Sequence, residues 1–372
     1  MRTRHQKKSH HIFLWIAIPL LLYLCYVEIN RSEVGDTSFT EIVCIDQKGN
    51  EYTVTALYDN AASKDKDGME LIDGNGNSVY NAYIDMLRKH SRDISLDHTA
   101  YFLIGQGAAA KNLGDCLDFI SRDPDMKANA EVFIVKSNNT NKILKDSMEE
   151  DFSPSETLNA IAAKQTNNLK KPKNTLLQVL NDIDHSYNNL LIPYLVFDKD
   201  NMYLEGYATF KDKKLYHLLD YDLSQAIDFY RNNLRTYPLE LSKNLNVELS
   251  NIQVKQQLVV SNDMPTLNVN VTTDSTLKEA VYDLPIFEEE ALTSLNQLEQ
   301  LKLTDWLVKI VMTMKHEKLD LLNIGTELGT HVGDDQINAH WDTYLENLDI
   351  SLDVDSATSK TYLIETNERR ES

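Results

Sequence analysis

In the last third of the chain, apolar and polar residues alternate almost one for one along two runs, "VELSNIQVKQQLVV" from Val247 and "TLNVNVTTD" from Thr266. Successive side chains of a β-strand point to opposite faces, so this alternation describes strands with one face in a core and the other in water. Two such runs in succession predict a half-exposed antiparallel sheet, whose apolar face has to be covered by another layer. Residues 288–322 supply a cover. Leu292, Leu295, Leu298, Trp306, Ile310 and Met314 fall on one helical stripe, with Glu299, Lys302 and Lys309 around the far side. One helix of that length would exceed about 50 Å. A break is therefore expected near Lys302-Leu303-Thr304, where the stripe shifts register and Thr304 with Asp305 offers a new cap. "LDISLDVD" closes the pattern as a further alternating strand.

The first third reads differently. "FTEIVCID" and "EYTVTALY" are β-rich runs around Lys48-Gly49-Asn50, a hairpin signal. The polar, Gly/Asp/Asn-rich stretch from Asp59 to Ser78 reads as a loop. Val79, Tyr80, Tyr83, Ile84 and Leu87 then recur at helical spacing. "TAYFLIG" and "AEVFIVK" are buried-strand runs separated by the helical "AAAKNLGDCLDFIS". From Ser153, two short helices surround Lys171-Pro172-Lys173. Ser153 and Glu156 have capping-box spacing, and Pro154 takes a favoured first helical position. A strand pair joined by Asp198 to Asn201 and a helix from Asp222 to Asn232 follow. The expected class is α+β, in three small domains, each a mainly antiparallel sheet packed with helices. The boundaries fall at 34–150, 151–240 and 241–366, behind an anchor at 1–33 and before a tail at 367–372.

The anchor is "HHIFLWIAIPLLLYLCYVEINRSE". Arg2, Arg4, Lys7 and Lys8 precede an apolar run from Ile12 to Val27. The basic end stays in the cytoplasm and sends the rest of the chain outward. No small residues mark a signal-peptidase cut. Leu22-Tyr23-Leu24-Cys25 has the shape of a lipobox, although Leu24 is bulky where a small residue is normal. Two readings stay open: residues 12–27 remain as an anchor, or Cys25 carries a lipid. The formal net charge of −20 makes a soluble surface that repels nucleic acid and anionic headgroups, so neither is expected as a partner. Of the three cysteines, Cys44 and Cys116 read as buried small hydrophobes.

Catalytic chemistry is not legible. "SKDKDGMELIDG" starts like a calcium loop, but Gly74 stands where the bidentate Glu belongs. "GNGNS" and "IGQGAA" lack the phosphate-loop Lys and the full dinucleotide pattern. His331 and His340 are wrongly spaced for two ligands on one helix face. His90, Asp93, Asp97 and His98 read as a helix end and loop, and Glu288, Glu289 and Glu290 as negative charge at a helix N-terminus. No catalytic residue, metal ligand or cofactor is expected, and the chain is not expected to be an enzyme.

Four segments in order resemble one family. "CLDFISRDPDMKANAEVFIVK" places a helix, an Arg122-Asp123-Pro124 turn and a strand in succession. Proline cannot continue a helix and biases Asp123 away from helical backbone. "YLEGYATFKDKKL" presents Leu204, Gly206, Ala208, Phe210, Asp212 and Leu215. "KLDLLNIGTEL" presents Asp320 and Gly325, with Asn323 where the family has a glycine. "NAHWDTYLENLDISLDVD" presents Trp341 and Asp342 before a terminal strand. Together these resemble the C-subunit lipoproteins of spore germinant receptors, the Ger(x)C family. "CYVEIN" places Cys25 at the family's lipidated cysteine, with Glu28 and Ile29 echoing its Glu-Ile, while the family's Trp, Asp and both Args are absent or replaced.

The resemblance implies a non-catalytic receptor subunit at the outer face of the spore inner membrane. It would be tethered by its N-terminus and assembled with two polytopic membrane subunits, for receptor assembly or signalling during germination. The rival reading is an exported, membrane-anchored solute-binding protein or envelope hydrolase, supported only by the acidic, exported, multidomain character.

Overall fold

The computed structural model describes residues 18–20, 23, 37–59, 68–91, 93–122, 127–149, 153–171, 174–184, 187, 189–198, 201–243, 245–261, 264–280 and 289–359. Of the expected anchor, only Ile18, Pro19, Leu20 and Tyr23 are included. They are helical and exposed. Cys25, Asp123 and Pro124 lie outside the described residues, as do Ser63, Asp65 and Asp67. Among the described residues no helix is long and apolar enough to cross a membrane.

The chain is α+β, built on two sheets. The larger has nine strands. β1 (Thr37–Lys48) and β2 (Glu51–Asp59) form the expected hairpin, with Lys48 paired to Glu51 across Gly49-Asn50. β3 (Met69–Gly76) continues the meander where a loop was expected. Its glycines misled the composition. A Cβ at Gly74 or Gly76 would run into the backbone of α1 (Val79–Lys89) at Ala82, so these glycines let the helix lie close on the strand. β4 (Asp93–Ser95) and β5 (Tyr101–Gly105) both pair in parallel with β1. α2 (Gln106–Arg122) then crosses to β6 (Glu131–Val135), parallel to β5.

A longer crossover through α3 (Thr140–Glu149), α4 (Pro154–Asn168) and α5 (Leu176–Asp182) reaches β7 (Leu191–Asp198), again parallel. Strands on both sides of residue 150 thus share one sheet. Its centre is parallel because helices span the connections, and its two ends are antiparallel. Ser153 caps α4 through the Glu156 N–H with Pro154 behind it, whereas the reciprocal capping box is made at α5 by Thr175 and Gln178. The expected strand pair is a meander of three: β7, β8 (Asn201–Lys211) and β9 (Lys214–Leu218). Asp212 and Lys213, both at positive φ (47° and 62°), make the second turn.

Alternate residues of the central strands feed opposite cores. Phe102, Ile104, Val132 and Ile134 face α1, α2 and α5, where Met86, Leu113, Cys116, Leu117 and Val179 are buried. Tyr101, Leu103, Phe133 and Val135 face Leu144 of α3 and Leu158 of α4, with Cys44. Cys44 and Cys116 are free thiols on opposite faces of the sheet, and burial pushes both pKa values up.

α6 (Tyr221–Tyr230) leads to the second sheet, which comprises β10 (Tyr237–Ser242), β11 (Leu245–Ser261), β12 (Met264–Ala280) and β13 (Asp349–Ser359). β11 and β12 are the two alternating runs, paired antiparallel. β10 had no comparable signal. β13 pairs in parallel with β12, because α7 (Glu289–Glu317), α8 (Gly325–Val332) and α9 (Asp334–Glu346) carry the chain back across the sheet.

α7 runs unbroken through Lys302-Leu303-Thr304 for 29 residues, or about 43 Å. Thr304 donates its hydroxyl to the Gln300 carbonyl (2.7 Å) inside the helix instead of capping a new one. The apparent register shift arises from Leu298, which is 38% exposed, while Glu299, expected on the far side, is fully buried. With Glu299 in the stripe, Leu295, Glu299, Leu303, Leu307 and Val311 follow one another at intervals of four along one face, and Trp306, Ile310 and Met314 lie beside them.

Candidate functional site at the joint between the sheets

Two of the segments that resemble the family, those that carry Asp320 and Trp341, meet where the two sheets join. Asp320, in the turn after α7, is fully buried. Its two carboxylate oxygens accept the N–H groups of Ile324 (2.9 Å) and Gly325 (2.7 Å). That contact organises the entry into α8. Asn323 sits at φ +59°, the left-handed backbone that explains a glycine in the family pattern and that Asn tolerates better than most residues. Its side chain accepts from the Asn189 amide (3.1 Å). Gly325 lies against the ring of Tyr187, so any Cβ there would overlap the ring. The Tyr187 hydroxyl bonds the Thr326 hydroxyl (2.8 Å), and its ring packs on Trp341 at 5.9 Å. The Trp341 indole N–H reaches the Lys318 carbonyl (3.3 Å).

Arg231, one residue past α6, closes the joint from the other side. Its Nε donates to the Leu321 carbonyl (2.8 Å) and its Nη2 to the Asp320 carbonyl (2.9 Å). Burial pushes the Asp320 carboxyl above the usual Asp range, against the pull of Arg231 and the backbone N–H groups it accepts. Burial likewise pushes Arg231 down, with Asp320 and Asp228 opposing. Asp228 accepts from the Tyr207 hydroxyl (2.7 Å) and the Asn233 amide (3.1 Å). On the outer side Glu317, at the end of α7, accepts from the Tyr216 hydroxyl of β9 (2.7 Å) and lies 3.3 Å from His217. These bonds span the two halves of the chain, and the groups that make them hold backbone and one another in place.

The remaining motif positions are also structural. Leu204, Gly206, Ala208 and Phe210 lie on β8, Asp212 in its turn and Leu215 on β9. Gly206 faces the Leu219 carbonyl at the approach to α6. Asp342 is exposed. His90 caps the end of α1 and its ring packs on Tyr58 (4.8 Å), while His98 packs on Phe39 (4.6 Å) and lies 3.9 Å from the neighbouring Asp97. No group of three potential metal ligands occurs among the described residues. Tyr187, Asn189 and Arg231 escaped the sequence reading. Arg231 meets carbonyls about 90 positions away, and no local pattern encodes that.

The family model described as the spore germination protein N-terminal domain matches residues 30–197. The model described as spore germination B3/GerAC-like, C-terminal, matches residues 205–361. No curated protein matches the chain. The crystal structure of the GerBC protein is similar with a TM-score of 0.56 and 16% sequence identity, over 85% of this chain and 96% of that one. It shares the fold. The first family model ends in β7 and the second begins in β8, so the larger sheet spans both. The chain belongs to the GerAC family of spore germination proteins, the family of germinant receptor C subunits.

Proposed function

We propose that this chain is the membrane-tethered C subunit of a spore nutrient germinant receptor. It works beside two polytopic membrane subunits and serves assembly or signal transfer, without catalysis of its own. The observation that carries this reading is the pair of family models, which together run from residue 30 to residue 361. The joint supports it, since its buried carboxylates and tyrosine hydroxyls are committed to backbone and to neighbouring side chains. The N-terminus holds the chain at the outer face of the spore inner membrane through residues 12–27, or through a lipid on Cys25.

Affinity capture of the tagged chain from spore membranes tests the assembly. Recovery of two multi-span proteins in constant ratio is expected, and recovery of the chain alone from gently solubilised membranes would overturn the reading. Cys25→Ala is expected to leave most of the protein on membranes. Fatty-acid labelling of the wild type that disappears in the variant would transfer the anchor to Cys25.

A further inference from the structure

A cleft of about 640 Å³ opens beside the joint, and positive charge collects in it. Lys170, Lys171 and Arg231 line it against a single carboxylate, Asp182, on a chain whose formal net charge is −20. None of the three cations makes an ion pair among the described residues. Neutral oxygens hold two of them. Lys170 donates to the Asn232 side chain (2.7 Å) and the Ile252 carbonyl (2.6 Å), and Arg231 donates to the Leu321 and Asp320 carbonyls.

An ammonium carries three N–H groups and a guanidinium five. Among the described residues, one therefore remains on Lys170 and three on Arg231, while the Lys171 ammonium uses none. The nearest buried carboxylates are already engaged, Asp320 by backbone N–H groups and Asp228 by Tyr207 and Asn233. Burial and the neighbouring Arg235 push Lys170 down in pKa, as expected of a cation that lacks a counter-charge.

We propose that this cleft binds a small organic anion through a phosphate or carboxylate group. Arg231 and Lys170 take the oxyanion, with Lys171 at the mouth. Guanidinium and ammonium donors held by backbone carbonyls keep their positions without a ligand, so an arriving oxyanion finds its partners already placed. The volume lies in the range of small-molecule sites and exceeds what a bare ion fills. Leu191, Val254 and Leu322 give the remainder of the ligand an apolar wall. That wall joins β7 of the larger sheet to β11 of the smaller, so an occupant ties the two sheets together and stabilises the folded chain by mass action.

Calorimetric titration of the full chain in detergent with inorganic phosphate, and separately with citrate, tests this at constant ionic strength, with chloride as the reference. Saturable binding near one per chain is expected for at least one of the two anions, with a melting temperature that rises with its concentration. Preference between the two names the headgroup. Lys171→Gln is expected to weaken binding about threefold, and Lys170→Gln with Lys171→Gln at least tenfold. The Lys171 side chain bonds nothing among the described residues, so its variant separates lost binding from lost folding. Absence of binding beyond chloride for both anions would overturn the proposal, as would undiminished binding in a folded double variant.

Discussion

Buried hydroxyls meet different fates around β1 of the larger sheet and in the smaller sheet. In the larger sheet, Ser38 and Thr40 of β1, Thr55 of β2 and Thr99 just before β5 are almost fully buried, and their hydroxyls have no hydrogen-bond partner among the described residues. In the smaller sheet, Thr273 donates to the Ser250 carbonyl (3.0 Å). Ser275 donates to the buried Glu299 (2.6 Å), which also accepts from Ser356 of β13. The larger sheet is covered by helices on both faces, and its strands have enough apolar area to tolerate idle hydroxyls. The smaller sheet buries one face, against α7 with α6 and α8 beside it, and part of its cohesion is polar and specific. Specific contacts of this kind lose more when one partner is removed than idle groups lose when deleted.

The largest expected effect tests the dependence of the smaller sheet on α7. The Trp306 ring meets Phe229 at 5.9 Å and Tyr237 at 5.1 Å, edge to face. Trp306→Ala is expected to cost about 3–5 kcal/mol, measured by chemical denaturation. An unchanged midpoint together with lost receptor assembly would move the residue to an interface.

Arg231→Met tests the joint that holds the sheets together. It strands the Leu321 and Asp320 carbonyls and removes the positive charge that favours the ionised Asp320 carboxyl, at a cost of about 1.5–3 kcal/mol near neutral pH. The sign with pH follows from the direction of the Asp320 shift. A carboxyl raised above its unfolded value keeps its full stability below that unfolded value and loses it as pH rises toward the folded value. Without Arg231 the folded value rises further. The deficit of the variant should therefore shrink as pH is lowered from 7 toward the ordinary Asp range, and thermal melts across that interval check it. A deficit that grows on acidification would contradict this account of Asp320.

The last two changes address the hydroxyls directly. Glu299→Ala removes the acceptor that Ser275 and Ser356 share and is expected to cost about 1–3 kcal/mol. Thr55→Val removes an idle hydroxyl at nearly constant shape and is expected to be neutral or stabilising by up to about 1 kcal/mol. If Thr55→Val were as costly as Glu299→Ala, the contrast between the sheets would collapse.

The elements whose patterns are local were legible in the sequence. β11 and β12 announced themselves by alternation, β5 and β6 by short continuous apolar runs, and α4 by Ser153 and Pro154. The four family-like segments pointed to the family before any contact was known, because turns and caps depend on neighbours a few residues away. β3 was missed because its glycines serve the approach of α1 and not a loop. The continuity of α7 was missed because Glu299 counts as polar in sequence and as core in the fold.

Amino-acid order alone determined the α+β class, the covered half-exposed sheet and the family. Only the tertiary structure decided that strands before and after residue 150 share a sheet, that Glu299 belongs to the core, and that Lys170, Lys171 and Arg231 face one cleft. Periodicity records which face of an element is buried. It does not record which element lies against that face, since pairing energies depend on partners that may be a hundred residues away.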